Sequence, residues 1–395
     1  MAEEKTHRNK KVLFIASAAS HIINFHNIYF PYLTGMGFEV HTATGINSSD
    51  NSDTDLINAE KTYTLVFEKG IKFLKNIITV FKLAKIIRRE KYDIISTHSM
   101  LAGFIGRIAV MFAFIRKKKI RVIHTCHGYL FNDDRSFKSK LMIFIEKFLS
   151  LRTDILFVMN NDDFDIAKKY KLCKKIELID GMGIDVEKLN KEKKDDVDII
   201  EVKKKYSIPK DKKYFLCVGE FSKRKNQKNI IQAFSKFIRS LPDDLYHSYH
   251  MIFLGDGFLS GECRKLCETL GITGHVTFCG YVGETLIFYK YFAYCVVSAS
   301  KFEGLPFNIM EALYCGKPVI ASNAKGHKDL ISDGFNGYLY EYDDDVKLAE
   351  LFERASDTDV YENLRNNVLL AEKYYFDNVK EKILNCYNCY KDMLS

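Results

Sequence analysis

The chain of 395 residues lacks tryptophan, has only five prolines, and contains no apolar run of the roughly 20 residues needed to cross a bilayer. Its longest apolar candidate, Phe104–Ile115, is interrupted by Gly106 and Arg107. The chain also lacks low-complexity blocks and internal repeats. Together these absences indicate an ordinary globular protein rather than a membrane-spanning or repeat protein. The content of 47% hydrophobic and 28% charged residues is also typical of a globular protein.

The cysteines lack the spacing of a secreted disulfide framework, although there are ten of them. Cys386 and Cys389 have metal or redox spacing, but no second pair or nearby histidine completes a site. We therefore expect free thiols in a reducing cytoplasm. The net charge of +8 suits phosphates or an anionic membrane surface. No nucleic-acid motif accompanies that charge, so a nucleic-acid partner is not expected.

The length predicts at least two domains. Short apolar runs alternate with helical segments, the rhythm changes over the charged residues 181–211, and the alternation then restarts. Alternating strands and helices predict doubly wound parallel sheets that bind ligands at the carboxyl ends of their strands. The predicted domains are 1–190 and 191–374. The predicted strands are Val12–Ser17, Glu39–Ala43, Leu65–Phe67, Asp93–His98, Arg121–Cys126, Ile155–Val158, Tyr214–Val218, His250–Leu254, Val276–Cys279, Tyr294–Val297 and Pro318–Ala321.

The most informative motif holds two carboxylates eight positions apart, Glu303 and Glu311. Gly304, Leu305 and Pro306 lie between them, directly after an apolar run, and predict a tight turn that opens a helix. A strand, a glycine turn and a helix N-terminus favour anion binding, because free N–H groups and the helix dipole point at the ligand. The motif predicts that one carboxylate contacts a sugar and the other contacts a ribose of the same ligand. The phosphates of that ligand would lie between the two carboxylates.

This motif resembles that of the retaining nucleotide-sugar glycosyltransferases of family 4. The resemblance rests on Glu303-Gly-Leu-Pro-Phe-Asn-Ile-Met-Glu311, Gly316 and Pro318–Ala321, and is strongest over 214–340. It implies the α/β GT-B fold, in which two doubly wound, Rossmann-like domains face a central cleft. It also implies a C-terminal donor domain and a last helix, about 375–395, that crosses back to the N-terminal domain.

The donor site implied by the resemblance combines two loops. Gly219 ends a predicted strand, and Lys225 matches the phosphate lysine of the family. The family usually has arginine directly after this glycine, where the chain has Glu220, so Arg224 or Lys223 is expected to substitute. The implied donor-binding residues are Gly219, Arg224, Lys225, Gly255, Tyr281, Val282, Glu303, Gly304, Leu305, Pro306, Phe307, Asn308 and Glu311.

The first domain contributes histidines at predicted strand ends. His127, before Gly128, matches a family histidine that faces the sugar and the attacking hydroxyl. The implied catalytic residues are therefore His127, Glu303 and Lys225. His98 follows another strand in the same way. On the acceptor side, His21 and Asn24 follow the first strand, in a loop that lacks the glycine pair of many relatives.

Acidic triplets of the D-x-D type are the metal-binding motif of glycosyltransferases with another fold. The chain has four of them, at 53–55, 163–165, 343–345 and 357–359. Most lie in polar loops, and such triplets are expected by chance at this charge content. We therefore expect neither a metal ion nor a cofactor.

The resemblance implies a cytoplasmic, retaining glycosyltransferase that moves a sugar from a nucleotide sugar, expected to be a UDP-sugar, to a glycan acceptor. The first domain resembles enzymes of capsule and exopolysaccharide synthesis, which implies a lipid-diphosphate-linked saccharide as acceptor and peripheral contact with the inner membrane. The helix predicted over Ile71–Arg89 is compatible with that contact and equally with an outer domain helix.

Alternatives from the same fold are a sugar-nucleotide epimerase and a phosphorylase. A non-catalytic protein that binds a nucleotide sugar is a third alternative. A dinucleotide oxidoreductase is disfavoured, because no G-x-G-x-x-G motif follows the first strand.

Overall fold

A computed structural model describes residues 10–45, 54–68, 74–113, 120–134, 136–191 and 198–393. Its contacts divide the chain into unit 1, Met1–Gly183 with Asp377–Ser395, and unit 2, Ile184–Phe376. The sequence put these junctions after residues 190 and 374. Ile184 forms a parallel bridge with Tyr375 and accepts a 2.9 Å hydrogen bond from the Phe376 N–H. The first and last residues of unit 2 are therefore paired with each other, which explains where its boundaries lie.

Unit 1 contains a parallel sheet of seven described strands in the order β3-β2-β1-β4-β5-β6-β7. The strands are β1 Lys10–Ala16, β2 Phe38–Gly45, β3 Lys61–Leu65, β4 Ile94–His98, β5 Arg121–Thr125, β6 Ile155–Val158 and β7 Lys175–Leu178. The helices are α1 Ala19–Phe25, α2 Phe30–Gly35, α3 Asn76–Glu90, α4 Met100–Phe112, α5 Phe137–Leu149, α6 Asn161–Tyr170 and, at the end of the chain, α15 Phe376–Met393.

The strand order determines which helices share a face of this sheet. The connections from β3 to β6 all advance in one direction, and right-handed crossovers therefore put α3, α4 and α5 on one face. Val12–Ala16 is buried throughout, as expected for a central strand covered on both sides. Between α4 and α5, the buried guanidinium of Arg107 donates two 2.9 Å hydrogen bonds to the carboxylate of Glu146.

The last helix, α15, packs on the sheet of unit 1. The Tyr387 hydroxyl lies 2.7 Å from the Ser96 hydroxyl on β4. The Arg121 guanidinium on β5 lies 5.1 Å from the ring centre of Tyr390. These contacts explain why the end of the chain belongs to unit 1 rather than unit 2.

Unit 2 contains a parallel sheet of six described strands in the order β10-β9-β8-β11-β12-β13. The strands are β8 Lys213–Val218, β9 Tyr249–Leu254, β10 Val276–Phe278, β11 Ala293–Ser298, β12 Val319–Ser322 and β13 Gly337–Tyr340. The helices are α7 Val186–Lys191, α8 Ile199–Tyr206, α9 Gln227–Ser240, α10 Ser260–Thr269, α11 Thr285–Ile287, α12 Phe307–Tyr314, α13 Asp345–Ser356 and α14 Thr358–Asn366. Phe215, Phe234, Phe237 and Phe352 form the centre of its core.

The two parallel α/β sheets confirm the predicted fold class, with local corrections. β7 and β13 were not predicted, and the third strand ends at Leu65 rather than beginning there. The predicted connection 181–211 contains α7 and α8. Between α1 and α2, Asn27–Tyr29 form a 3-10 turn. Residues 71–73 of the helix predicted from Ile71, and the first acidic triplet in part, lie outside the described residues.

Candidate active site

The candidate donor site lies where β8 and β11 end. These strands are parallel neighbours, so the loops that follow them emerge at the same edge of the sheet. The Lys301 N–H donates a 2.8 Å hydrogen bond to the Arg224 carbonyl and joins the two loops. The Asn308 side-chain amide donates to the Val218 carbonyl at 3.1 Å, which ties the start of α12 to the end of β8.

The two loops place two cations on one carboxylate. The same Glu303 oxygen lies 2.7 Å from the Lys225 ammonium and 2.8 Å from an Arg224 guanidinium nitrogen. Arg224 also donates to the Phe302 carbonyl at 3.1 Å. Lys223 is exposed. Of the two residues that the sequence offered beside Lys225, Arg224 therefore shares the Glu303 carboxylate with that lysine.

The Glu303 side chain is only 10% exposed, yet it is held in its charged form. Burial alone would raise the pKa of its carboxyl group, but the nearby charges of Lys225 and Arg224 outweigh burial and hold that pKa well below its ordinary value. The cluster carries a net positive charge of one. It is therefore suited to bind an anion that pairs with Lys225 and Arg224 in place of Glu303. The Glu303 carboxylate could then accept hydrogen bonds from the same ligand.

Glycines allow the close approach of chain segments at this site. A Cβ on Gly219 would lie 3.3 Å from Cε of Lys225, so the lysine side chain runs directly over this glycine. Gly255 has a φ of +125°, and a Cβ there would lie 2.2 Å from the Gly219 carbonyl oxygen. The predicted glycines thus shape one loop surface around Lys225.

Helix α12 begins directly after the predicted turn. Pro306 is its N-cap residue, with extended backbone angles, and Phe307 is the first helical residue. Gly304, Leu305 and Pro306 are buried. The turn is therefore packed into the unit, and the helix begins next to the ion cluster.

The second carboxylate of the motif, Glu311, lies on α12 beside Tyr289. Burial, and then the charge and hydrogen bond of Glu311, raise the pKa of the fully buried Tyr289 hydroxyl. Tyr281 and Val282 follow Gly280, where Tyr281 is 78% exposed and Val282 is buried. The Gly280 carbonyl accepts a 2.7 Å hydrogen bond from the Gly255 N–H, which places this segment beside the loop after β9.

Unit 1 brings together all three predicted histidines and adds a fourth. Nε2 of His21 lies 3.2 Å from Nε2 of His127. The ring centres of His98 and His127 are 5.8 Å apart, and those of His26 and His98 are 3.7 Å apart. Asn24 is exposed on α1. Burial is the main reason why the pKa of each of these four histidines is lowered, to about 4 for His21, which favours neutral imidazoles.

Two of the buried histidines that were not predicted, His327 and His26, lie beside the residues described above. His327 follows β12 in unit 2, with Nδ1 2.7 Å from the Ser322 carbonyl and Nε2 3.2 Å from the Ser298 hydroxyl. Burial lowers its pKa to about 4. His26 ends α1, five residues after His21. The available signal for both was a histidine close behind the carboxyl end of a predicted strand.

Three of the acidic triplets have structural roles in the described part of the chain. Asp163 accepts hydrogen bonds from the Tyr129 N–H and the Asn160 side chain. Asp344 and Asp357 are the N-cap residues of α13 and α14. Capping satisfies free N–H groups at helix starts, so the triplets have an explanation without a metal.

Comparison with known protein families defines the class of the protein. Residues 198–368 match the family described as glycosyl transferases group 1, and residues 31–188 match glycosyltransferase family 4. Together the two matches span most of the chain. The chain is therefore a glycosyltransferase that combines these two domains in the GT-B fold.

Relatives and solved structures agree with this assignment. EpsD of Bacillus subtilis, named as a glycosyltransferase, is 29% identical over 350 residues, which cover 87% of each chain. An Escherichia coli enzyme, the UDP-Gal:alpha-D-GlcNAc-diphosphoundecaprenol alpha-1,3-galactosyltransferase, is 28% identical over 82% of this chain and 79% of its own. The Anabaena protein HepE, solved with UDP and glucose, is 17% identical with a TM-score of 0.75, over 96% of this chain and all of that chain.

In the described part of the chain, no helix combines the length and apolarity required to cross a membrane.

Proposed function

We propose that this glycosyltransferase transfers a sugar from a UDP-sugar, with retention of configuration, to a hydroxyl of a lipid-diphosphate-linked saccharide in capsule or exopolysaccharide synthesis. The observation that carries the proposal is the cluster of Lys225 and Arg224 on the buried carboxylate of Glu303. A site with two cations and one carboxylate suits a donor that presents a diphosphate next to sugar hydroxyls. HepE, which was solved with UDP, and the UDP-Gal-dependent relative of Escherichia coli support this choice of donor.

The proposed roles follow from the charges. Lys225 and Arg224 bind the diphosphate and stabilise the negative charge that grows as it leaves. The N-terminus of α12 adds its dipole. Glu303, released from its ion pairs, accepts hydrogen bonds from the donor sugar, and Glu311 binds the ribose diol.

In the proposed reaction the acceptor oxygen forms a bond to the anomeric carbon on the face that the diphosphate leaves. The bond from that carbon to the phosphate oxygen breaks, and this oxygen takes the proton of the acceptor hydroxyl. His127 orients the donor sugar and polarises the reacting centre. Because Lys225 and Arg224 already supply positive charge, we propose that the transfer needs no metal ion, and we expect turnover to persist in EDTA.

The proposed lipid-linked acceptor is supported by an exposed apolar face of unit 1. Helix α5 and the residues after it expose Phe137, Leu141, Phe144, Phe148 and Leu151, a stripe at helical spacing on which Phe137 is 82% exposed. On α3, Ile77, Ile78 and Phe81 are exposed, and the Phe81 ring packs 5.3 Å from that of Phe112. Lysines and arginines flank both stripes: Lys75, Lys82, Lys85, Arg88, Arg89, Lys138, Lys140, Lys147 and Arg152. An apolar stripe with basic flanks suits the surface of an anionic membrane.

The transferase proposal is tested with a panel of sugar nucleotides, scored for nucleotide release with and without lipid-diphosphate-linked acceptors. We expect UDP release that depends on the acceptor. Lys225→Met should lower kcat by about 10²- to 10³-fold, as for other removed donors to a developing anion. Lys236→Met is the matched control, because Lys236 pairs 2.9 Å from Asp345 on the exposed surface of the same unit. NMR of the product's anomeric configuration tests retention.

Normal turnover of both Lys225→Met and Glu303→Ala with a donor that the parent uses would show that the proposed site is wrong. Isomerised donor in place of product, or dependence on free phosphate, would instead support the epimerase or the phosphorylase.

Membrane contact is tested by sedimentation with vesicles of neutral or anionic phospholipid. We expect the chain to sediment with anionic vesicles, and Phe137→Ser with Phe144→Ser to weaken this binding at least tenfold. Phe258→Ser is the control, since Phe258 is 70% exposed in unit 2. Equal binding by all variants would contradict the proposed face.

A further inference from the structure

We propose that His21, His26 and His127 form a binding site for a divalent transition-metal ion of the zinc type. One ring nitrogen from each lies within 4.8 Å of one from each of the others. Three imidazoles are a common protein ligand set for zinc in sites that keep a fourth position open. This inference goes beyond the transferase proposal and does not depend on it.

The distances suit a small ion after limited side-chain rotation. Zinc–nitrogen bonds of about 2.0–2.1 Å in a tetrahedral site place two nitrogens about 3.3 Å apart. Nε2 of His21 and Nε2 of His127 are already 3.2 Å apart. The remaining nitrogen pairs need to close by at most about 1.5 Å, which small rotations of the rings can supply.

His26 supplies the observation that points to a missing ligand. Its side chain is 1% exposed, and its Nε2 has no hydrogen-bond partner in the described structure. A buried polar atom without a partner costs about 1–3 kcal/mol, so its presence calls for an explanation. A bound ion would satisfy this nitrogen and would replace the weak contact between His21 and His127.

Neighbouring rings enclose one side of the three imidazoles. His98 packs against His26 and is stacked on Phe14, so these contacts fix the position of its ring beside the three proposed ligands. His21 and His127 are partly exposed, which gives an ion access and leaves room for water as a fourth ligand.

A bound ion would compete with the role proposed for His127. One imidazole nitrogen cannot hold an ion and orient a sugar at the same time. We therefore expect that zinc at this site lowers the transferase activity and that a chelator restores it.

The test is a titration of the full chain with zinc chloride against a chromophoric chelator. It uses a Cys389→Ser background, because Cys389 is an exposed thiol that could itself bind zinc. We expect one equivalent bound tightly, and at least tenfold weaker binding in His21→Gln and in His26→Gln. His247→Gln is the matched control, since His247 is exposed in unit 2 and stacked 5.6 Å from His275.

A visible spectrum of the cobalt-loaded chain gives a second readout that is independent of activity. A tetrahedral site with nitrogen ligands should give strong bands that are lost in His21→Gln, a change at a partly exposed position that spares the core. The proposal is overturned if the background protein binds no zinc, or if both histidine variants bind it as tightly as His247→Gln.

Discussion

A single methyl group added at Gly326 is expected to disturb the candidate donor site. Gly326 has a φ of +82°, and a Cβ there would lie 2.3 Å from the carbonyl oxygen of Gly304 and 3.2 Å from that of Glu303. Backbone oxygens cannot rotate away as side chains do. Gly326→Ala must therefore displace the turn that carries Glu303.

Gly334 offers a matched control for this substitution. Its φ is +74°, and a Cβ there would meet no atom within 4 Å. Gly334→Ala is expected to lower the free energy of unfolding by about 1–2 kcal/mol, because alanine is strained in a left-handed backbone conformation. Gly326→Ala carries the same backbone cost plus about 1–3 kcal/mol for the steric conflict.

The two variants are compared by thermal unfolding and by turnover with the best UDP-sugar. For a unit of this size, each kcal/mol lowers the melting temperature by roughly 2–4 °C. We expect Gly326→Ala to melt lower than Gly334→Ala and to lose catalytic efficiency, while Gly334→Ala keeps its turnover. Equal melting temperatures and equal turnover would refute the close approach of these two loops.

Three further outcomes are expected. The pKa of Glu303 is lowered in the folded state, so the ionised carboxylate stabilises the fold at pH values above its ordinary pKa of 4.5. This stabilisation is lost as the pH falls below that value. Melting temperatures measured from pH 6 to pH 3 should therefore fall more steeply for the parent than for Glu303→Gln. Arg107→Met should lower the free energy of unfolding in urea by about 3–5 kcal/mol, because it leaves Glu146 buried and unpaired, and adding Glu146→Leu should recover much of this loss. Gly255→Ala, whose Cβ would lie 2.2 Å from the Gly219 oxygen, should weaken UDP binding at least tenfold by calorimetry, and unchanged binding would argue against this loop as the donor site.

Strand positions were predictable where the strand is buried on both faces. The predicted Ile155–Val158 coincides with β6, and Tyr214–Val218 lies within β8, because both are continuous apolar runs. Two of the four described edge strands, β7 and β13, were not predicted. β7 has exposed and half-buried residues and therefore lacks such a run, and β13 begins at Gly337, where a Cβ would lie 2.2 Å from the Val319 carbonyl oxygen.

The sequence pointed to the loops of the candidate donor site, but not to the ion pairs within them. The motif around Glu303 combines a strand, a turn and a helix start, and all of these leave local signals in the sequence. The sequence named both Lys223 and Arg224 as substitutes for the missing arginine and put only Arg224 among the donor-binding residues. Which side chain points toward Lys225 depends on the path of the loop.

The amino-acid sequence by itself determined the alternation of strands and helices, and with it the parallel sheets and the strand ends at which functional residues lie. These features follow from local patterns of apolar residues, glycines and helix-start residues. The tertiary structure decided that Arg224 joins Lys225 on Glu303 and that His26 joins His21 and His127. Such meetings depend on which strands become neighbours and how their loops turn, and residues that are 78 or 106 positions apart in the chain carry no local signal of a contact.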